Sequence, residues 1–149
     1  MSIKQISVIL DEQSGTLSEM TKVLADKNVE MRALTFHEAG NFSVARIIVD
    51  NVLWASSALW QAGFTADTAD VTAVEIPDKD GGLSCVLNVI ERAGIGIKYM
   101  YPVLSRKKTV SSGGGMPVLV FRFNDDVKAA DVLKAEGIRV LGQGELSAL

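Results

Sequence analysis

From Ile3 to Leu10 apolar residues alternate with others, and Ile6, Val8 and Leu10 share one side, as a half-buried strand requires. A polar turn, 11–14, leads to Gly15, and the period then changes. Leu17, Met20, Val23 and Leu24 recur at helical spacing and form one apolar face. Thr16 and Glu19, three apart, have the spacing of a capping box at that helix's start. Residues 31–37 and 42–49 read as two strands of a hairpin joined through Glu38-Ala39-Gly40-Asn41. A helix is predicted over 52–62, capped by Asp50 or Asn51 and stopped by Gly63, and a short strand over 64–70.

The same order then returns. Residues 71–76 predict a strand, and Leu83, Val86, Leu87 and Ile90 mark a helix ending near Gly94. Residues 97–104 and 118–123 are the paired strands, a helix covers 126–136 up to Gly137, and Arg139-Val140-Leu141 is a last short strand. Val8/Val74, Gly15/Gly81, Leu17/Leu83, Val23/Val89 and Val29/Ile95 all keep an offset of 66 (81 − 15). Leu59/Leu133 and Gly63/Gly137 keep an offset of 74 (137 − 63). The eight extra residues (74 − 66) fall in the second hairpin, where 105–116 replaces a short turn. Length changes are tolerated in surface loops, so the change of offset agrees with an internal repeat.

Two modules are therefore expected, 1–70 and 71–149. Ala69-Asp70-Val71-Thr72 contains neither proline nor a long polar linker, so the copies are expected to pack as one unit.

Composition narrows the function. With 149 residues, 48% apolar and 22% charged, the chain has an ordinary globular makeup. A net charge of −3 disfavours a nucleic-acid partner, which calls for a basic face. No apolar run approaches the roughly 20 residues that span a bilayer, and the opening residues lack a secretory core, so a cytoplasmic address without membrane contact is expected. A single cysteine, Cys85, excludes an internal disulfide and multi-cysteine metal sites.

Catalytic candidates are scarce. His37 is the lone histidine, no HExxH or CxxC spacing occurs, and neither His37 nor Cys85 has a visible partner for nucleophilic catalysis. Cys85 sits in the first turn of the third helix, where it either has a lowered pKa or simply fills space. No metal, cofactor or enzymatic role is expected. The loop Arg106-Lys107-Lys108-Thr109-Val110-Ser111-Ser112-Gly113-Gly114-Gly115 is either a solvated hairpin tip or an anion contact.

The repeated glycine turns are better candidates. A helix start offers unpaired N–H groups and the positive dipole end, which suit a carboxylate or phosphate. Gly15 and Gly81 would let a ligand reach the backbone. The alternative is that they merely close a strand-to-helix turn.

Two βαββαβ copies, each opening its first helix with a turn close to (Asp/Asn)-x-Pro-Gly-x-Leu, resemble tandem ACT domains. The resemblance covers nearly the whole chain. It rests on Glu12-Gln13-Ser14-Gly15-Thr16-Leu17, on Asp78-Lys79-Asp80-Gly81-Gly82-Leu83, on Asn28-Val29-Glu30-Met31-Arg32-Ala33-Leu34 and on Gly94-Ile95-Gly96-Ile97-Lys98-Tyr99-Met100-Tyr101. The Lys-Tyr-Met-Tyr stretch is similar to one in small stand-alone proteins of two ACT modules.

The resemblance implies an α+β chain of ferredoxin-like βαββαβ modules with antiparallel sheets. It also implies a free amino acid bound where paired modules meet, against the glycine turn and the start of the second strand. Carried onto this chain, those contacts are the two turns just quoted, with Asn28 and Val29. Tyr99 and Tyr101 share a strand face and either line a pocket or pack in the sheet. The family's proline is Ser14 in one copy and Asp80 in the other, both good helix caps, with Asp80 competing for the amides a carboxylate needs. The family's second-strand asparagine is Glu30 and Gly96, which shifts the expectation to backbone recognition. The first turn ranks ahead as the carboxylate site.

The expected function is a non-catalytic sensor that binds a free amino acid and passes that state to a regulated protein. The alternative is a protein-protein interaction module with vestigial ligand sites. Trp54 and Trp60 cannot both lie on the Ala55, Leu59 and Ala62 face, and an exposed tryptophan favours self-association, so a homodimer is expected.

Overall fold

The computed structural model describes residues 2–104 and 117–149, and the basic loop at 105–116 lies outside them. Its elements run β1 (Ile3–Leu10), α1 (Leu17–Asp26), β2 (Met31–Ala39), β3 (Phe42–Val49), α2 (Val52–Gln61), β4 (Thr65–Glu75), α3 (Gly82–Arg92), β5 (Ile97–Pro102), β6 (Val118–Phe123), α4 (Asp126–Ala135), β7 (Val140–Leu141) and α5 (Gln143–Ser147). The short strands predicted over 64–70 and 71–76 form one eleven-residue strand, β4. Nothing in Ala69-Asp70-Val71 breaks extended backbone, so strand pairing runs through it.

The chain divides into two compact units, one of residues 4–69 and the other of 70–149 together with the chain start. In the first the strands lie in the order β2-β3-β1-β4, and in the second β5-β6-β4-β7. β1 with β3, β2 with β3, β4 with β6, β4 with β7 and β5 with β6 are all antiparallel. The architecture is α+β with βαββαβ order. Each unit has its own core. Ile6, Val8 and Leu10 of β1 pack with Met20, Leu24, Ala55 and Leu59 from the helices in the first. Val74, Val86, Ile90, Phe121, Phe123 and Leu133 do so in the second. No helix among the described residues is long and apolar enough to cross a membrane.

Fine structure repeats as well. The register of β2 slips between Met31 and Ala33, and that of β5 between Ile97 and Tyr99, the same step at an offset of 66 (97 − 31). Asn51 and Asp125, 74 apart (125 − 51), cap α2 and α4 through Trp54 N–H and Lys128 N–H, each at 3.0 Å. Asp50 N–H donates to the Glu30 carbonyl at 3.3 Å, and Asn124 N–H to the Gly96 carbonyl at 3.0 Å. Equivalent residues thus close the start of the second strand in both units.

The helix starts part between the copies. Thr16 caps α1, as its spacing to Glu19 predicts, its hydroxyl accepting from Glu19 N–H at 3.2 Å, while Ser14 stays in the turn before it. The Glu19 carboxylate meets that hydroxyl at 3.3 Å. Gly81, not Asp80, is the cap residue of α3, with φ +75° and no side-chain cap bond. Helix α5 has no counterpart in the first unit and is too short for periodicity to reveal. It buries Leu146 and is tied by Glu145, whose carboxylate pairs with Arg139 and accepts from Gly142 N–H at 3.2 Å.

Candidate functional site

The first glycine turn is held by Asp11, a residue outside the expected set. Its carboxylate accepts from Ser14 N–H at 2.7 Å, from the Ser14 hydroxyl at 2.8 Å and from Gln13 N–H at 2.9 Å. These bonds, those of Ser14 above all, hold the Asp11 carboxyl below its ordinary pKa. Gly15 N–H donates to the Asp11 carbonyl at 3.2 Å. Three amides that the sequence offered to a ligand therefore already have partners inside the turn. The signal was present: Asp followed by a serine three residues on is the pattern of a side-chain-closed turn. Gly15 is required, for at φ +122° a Cβ would come within 3.0 Å of the Phe64 ring.

In the second turn Pro77 stands where Asp11 stands in the first, an offset of 66 (77 − 11). With no carboxylate to organise it, this turn uses a carbonyl: Lys79 N–H donates to Pro77 O at 2.9 Å. The chain then passes so close that a Cβ on Gly82 would sit 2.0 Å from that oxygen.

Clefts flank both turns. One of about 400 Å³ brings Glu12, Gly15, Thr16 and Leu17 together with the β2–β3 hairpin. Another of about 540 Å³ is lined by Asp78 and Lys79 with Cys85, Glu136 and Arg139. Asn28 and Val29 line neither. They follow α1 at its C-terminal end, with Asn28 at φ +57°. A third cleft, of about 550 Å³, lies at the start of the second strand in the second unit, where Asn124 Oδ1 accepts from Gly96 N–H at 3.1 Å. Helix α1 has ten residues and so spans about 15 Å, and that length separates the glycine turn from the second-strand start.

Tyr99 and Tyr101 stack at 6.4 Å between ring centroids, and Tyr101 is buried. Trp54 and Trp60 are both exposed, and each indole N–H has a backbone partner: Lys27 O at 2.8 Å and Ala66 O at 3.2 Å. Arg46 Nη1 lies 3.1 Å from His37 Nδ1. Among the described residues no group of three or more His, Cys, Asp or Glu could hold a metal ion.

A sequence model of the family described as the ACT domain pair matches residues 1–149. Among solved structures, the chain is similar to protein BT0572 from Bacteroides thetaiotaomicron, with 31% identity and a TM-score of 0.86 over 100% of this chain and 98% of that one. It is similar in fold to the regulatory subunit of aspartate kinase from Thermus thermophilus, at 13% identity and a TM-score of 0.57, covering 89% and 90% of the two chains. The corresponding subunit from Thermus flavus gives 15% identity and a TM-score of 0.56, covering 89% and 88%. No curated protein matches.

Proposed function

The chain belongs to the ACT domain pair family, and on that premise we propose that it is a non-catalytic regulatory protein of the cytoplasm that senses a free amino acid. The observation that carries this reading is the distance along the first helix of each module. A glycine turn and a second-strand start flank opposite ends of α1, and likewise of the eleven-residue α3, about 15 Å apart. No single amino acid is long enough to touch both ends of one helix. A ligand making both contacts must bridge two modules, and a homodimer supplies the second. The similar fold of two aspartate kinase regulatory subunits supports a regulatory role.

The two turns are unequal in how their own residues use the helix start. The first has Asp11 bonded to its amides and Glu12 beside them. The second leaves α3 without a side-chain cap, and its cleft holds Glu75, Asp78 and Glu136 beside Lys79 and an Arg139 already paired with Glu75 and Glu145. The uncapped start of α3, within Asp78, Lys79, Asp80, Gly81, Gly82 and Leu83, is what supports a carboxylate at the second turn.

A thermal-shift screen against the L-amino acids tests this, because a ligand bound only by the folded state raises the midpoint. Saturable, stereospecific stabilisation by one or a few is expected. A flat response to all at millimolar concentration would sink the reading. The self-closed first turn supports a second reading, an interaction module with vestigial ligand sites, for which a flat screen is the expected result.

A further inference from the structure

Helices α2 and α4 are equivalent in the repeat at an offset of 74 (127 − 53), so each is a measure of the other. Inward they match: Ala55 and Leu59 enter the first core, Ala129 and Leu133 the second. Outward they differ. Lys128, Asp131 and Lys134 of α4 are replaced on α2 by Trp54, Ser57 and Trp60. Positions 53, 57 and 60 form one stripe at helical spacing, and Trp54 flanks it. Leu53 is 85% exposed, Trp60 60% and Trp54 49%. From Asn51 to Phe64 no residue carries a charge, whereas α4 carries Asp126, Lys128, Asp131 and Lys134. Two tryptophans in water, where the equivalent helix has two lysines, cost free energy that burial would recover.

The rings are prepared for an apolar neighbour. The Trp54 indole N–H donates to Lys27 O at 2.8 Å and that of Trp60 to Ala66 O at 3.2 Å. Neither ring asks a partner for an acceptor, and both are fixed before contact. Lys27 Nζ, 6.0 Å from the centre of the Trp54 ring, puts a charge at the edge of the patch, where interfaces carry their polar rim. A second copy of this chain fits such a face. Two-fold contact sets a patch against itself. In a chain of net charge −3, an uncharged patch meets its own copy without like-charge repulsion.

We infer that the outer face of α2 is the contact between two copies of this chain, with Leu53, Trp54 and Trp60 of one packing on the same residues of the other. The choice of a second copy rests on the homodimer invoked in the amino-acid reading above, but the contact itself needs no ligand.

Sedimentation velocity on the full chain, from low micromolar to near-millimolar concentration, tests this. A dimer that dissociates on dilution is expected, because a ten-residue helix about 15 Å long covers less than the roughly 800 Å² per partner of a standard interface. Trp54→Lys and Trp60→Lys, which borrow the residues of α4, should each raise the dissociation constant about tenfold or more. Lysine at 54 keeps a partner for the helix end, since Lys128 Nζ donates to Ala93 O at 3.1 Å, the counterpart of Lys27 O at an offset of 66 (93 − 27). Leu53→Lys, at a side chain turned to solvent, should weaken association with an unchanged far-ultraviolet spectrum. Each lysine meets its own copy across the two-fold, so added salt should partly restore the dimer. Val127→Lys, the same change on α4, should leave association as it is. A monomer throughout the range overturns the inference, as does a dimer indifferent to the three α2 variants or one weakened equally by Val127→Lys. A dimer lost in the α2 variants beside a flat amino-acid screen upholds this face while the amino-acid reading fails. Stabilisation by an amino acid in a chain that stays monomeric does the reverse.

Discussion

At the scale of the residue, Asp11 decides more than any other side chain in the first turn. Its carboxylate holds Gln13 and Ser14 in place and uses the donors a ligand would need. Its pKa lies below the ordinary aspartate value, held down first by the Ser14 N–H and then by the Ser14 hydroxyl. A carboxyl whose folded value lies below its unfolded value stabilises the fold fully above the unfolded value and loses that contribution as pH falls through the folded one. The Asp11 contribution should therefore be complete above about pH 4 and fade below it. Urea midpoints from pH 5 down to 2.5 should fall less steeply for Asp11→Asn than for the natural chain, and parallel curves would refute this role. Legibility was partial here. Gly15 and Thr16 were visible as turn and cap, and Asp11 stands three residues before Ser14, but that spacing alone does not say which donors its carboxylate takes.

At the scale of the element, the repeat is closer than the bulk pattern implied. Bulges recur at Met31/Ala33 and Ile97/Tyr99, and caps at Asn51 and Asp125, positions where a repeated sequence need not repeat geometry. The helix starts are where the copies part. Thr16 and Gly82 are equivalent in the alignment at an offset of 66 (82 − 16), yet Thr16 is the cap of α1 while Gly82 is already inside α3. Alignment alone would allow a side chain at 82. The Pro77 carbonyl forbids one, because a Cβ would lie 2.0 Å from it and backbone cannot yield as a flexible side chain would. Gly82→Ala should lower stability by about 1–3 kcal/mol, the range of overpacking, measured by urea unfolding. A loss under a few tenths would show that the turn relaxes at little cost. Strand continuity was likewise out of reach of the pattern, since β4 passes through residues where periodicity alone marked a boundary.

At the scale of the whole molecule, each unit is built around its own core, and equivalent residues anchor both. Leu59 and Leu133 are fully buried in separate clusters at an offset of 74 (133 − 59). Truncating either to alanine should cost about 2–5 kcal/mol, the loss of a buried leucine plus the cavity it leaves. The double variant should be additive within about 0.5 kcal/mol, because residues without shared contacts rarely couple. Chemical denaturation of the three variants checks this, and strong non-additivity would reveal communication between the cores. The sequence by itself determined the order of elements, the doubling and the apolar faces, because these follow from local periodicity and from residues whose backbone preferences act within a few positions. Only the tertiary structure decided which amides stay available, which glycine cannot be replaced, and that Phe36, Glu38 and Phe42 share a cleft with Leu17. The first two rest on hydrogen bonds and steric contacts within a few residues, which periodicity does not read, and the third on segments distant in sequence meeting in space.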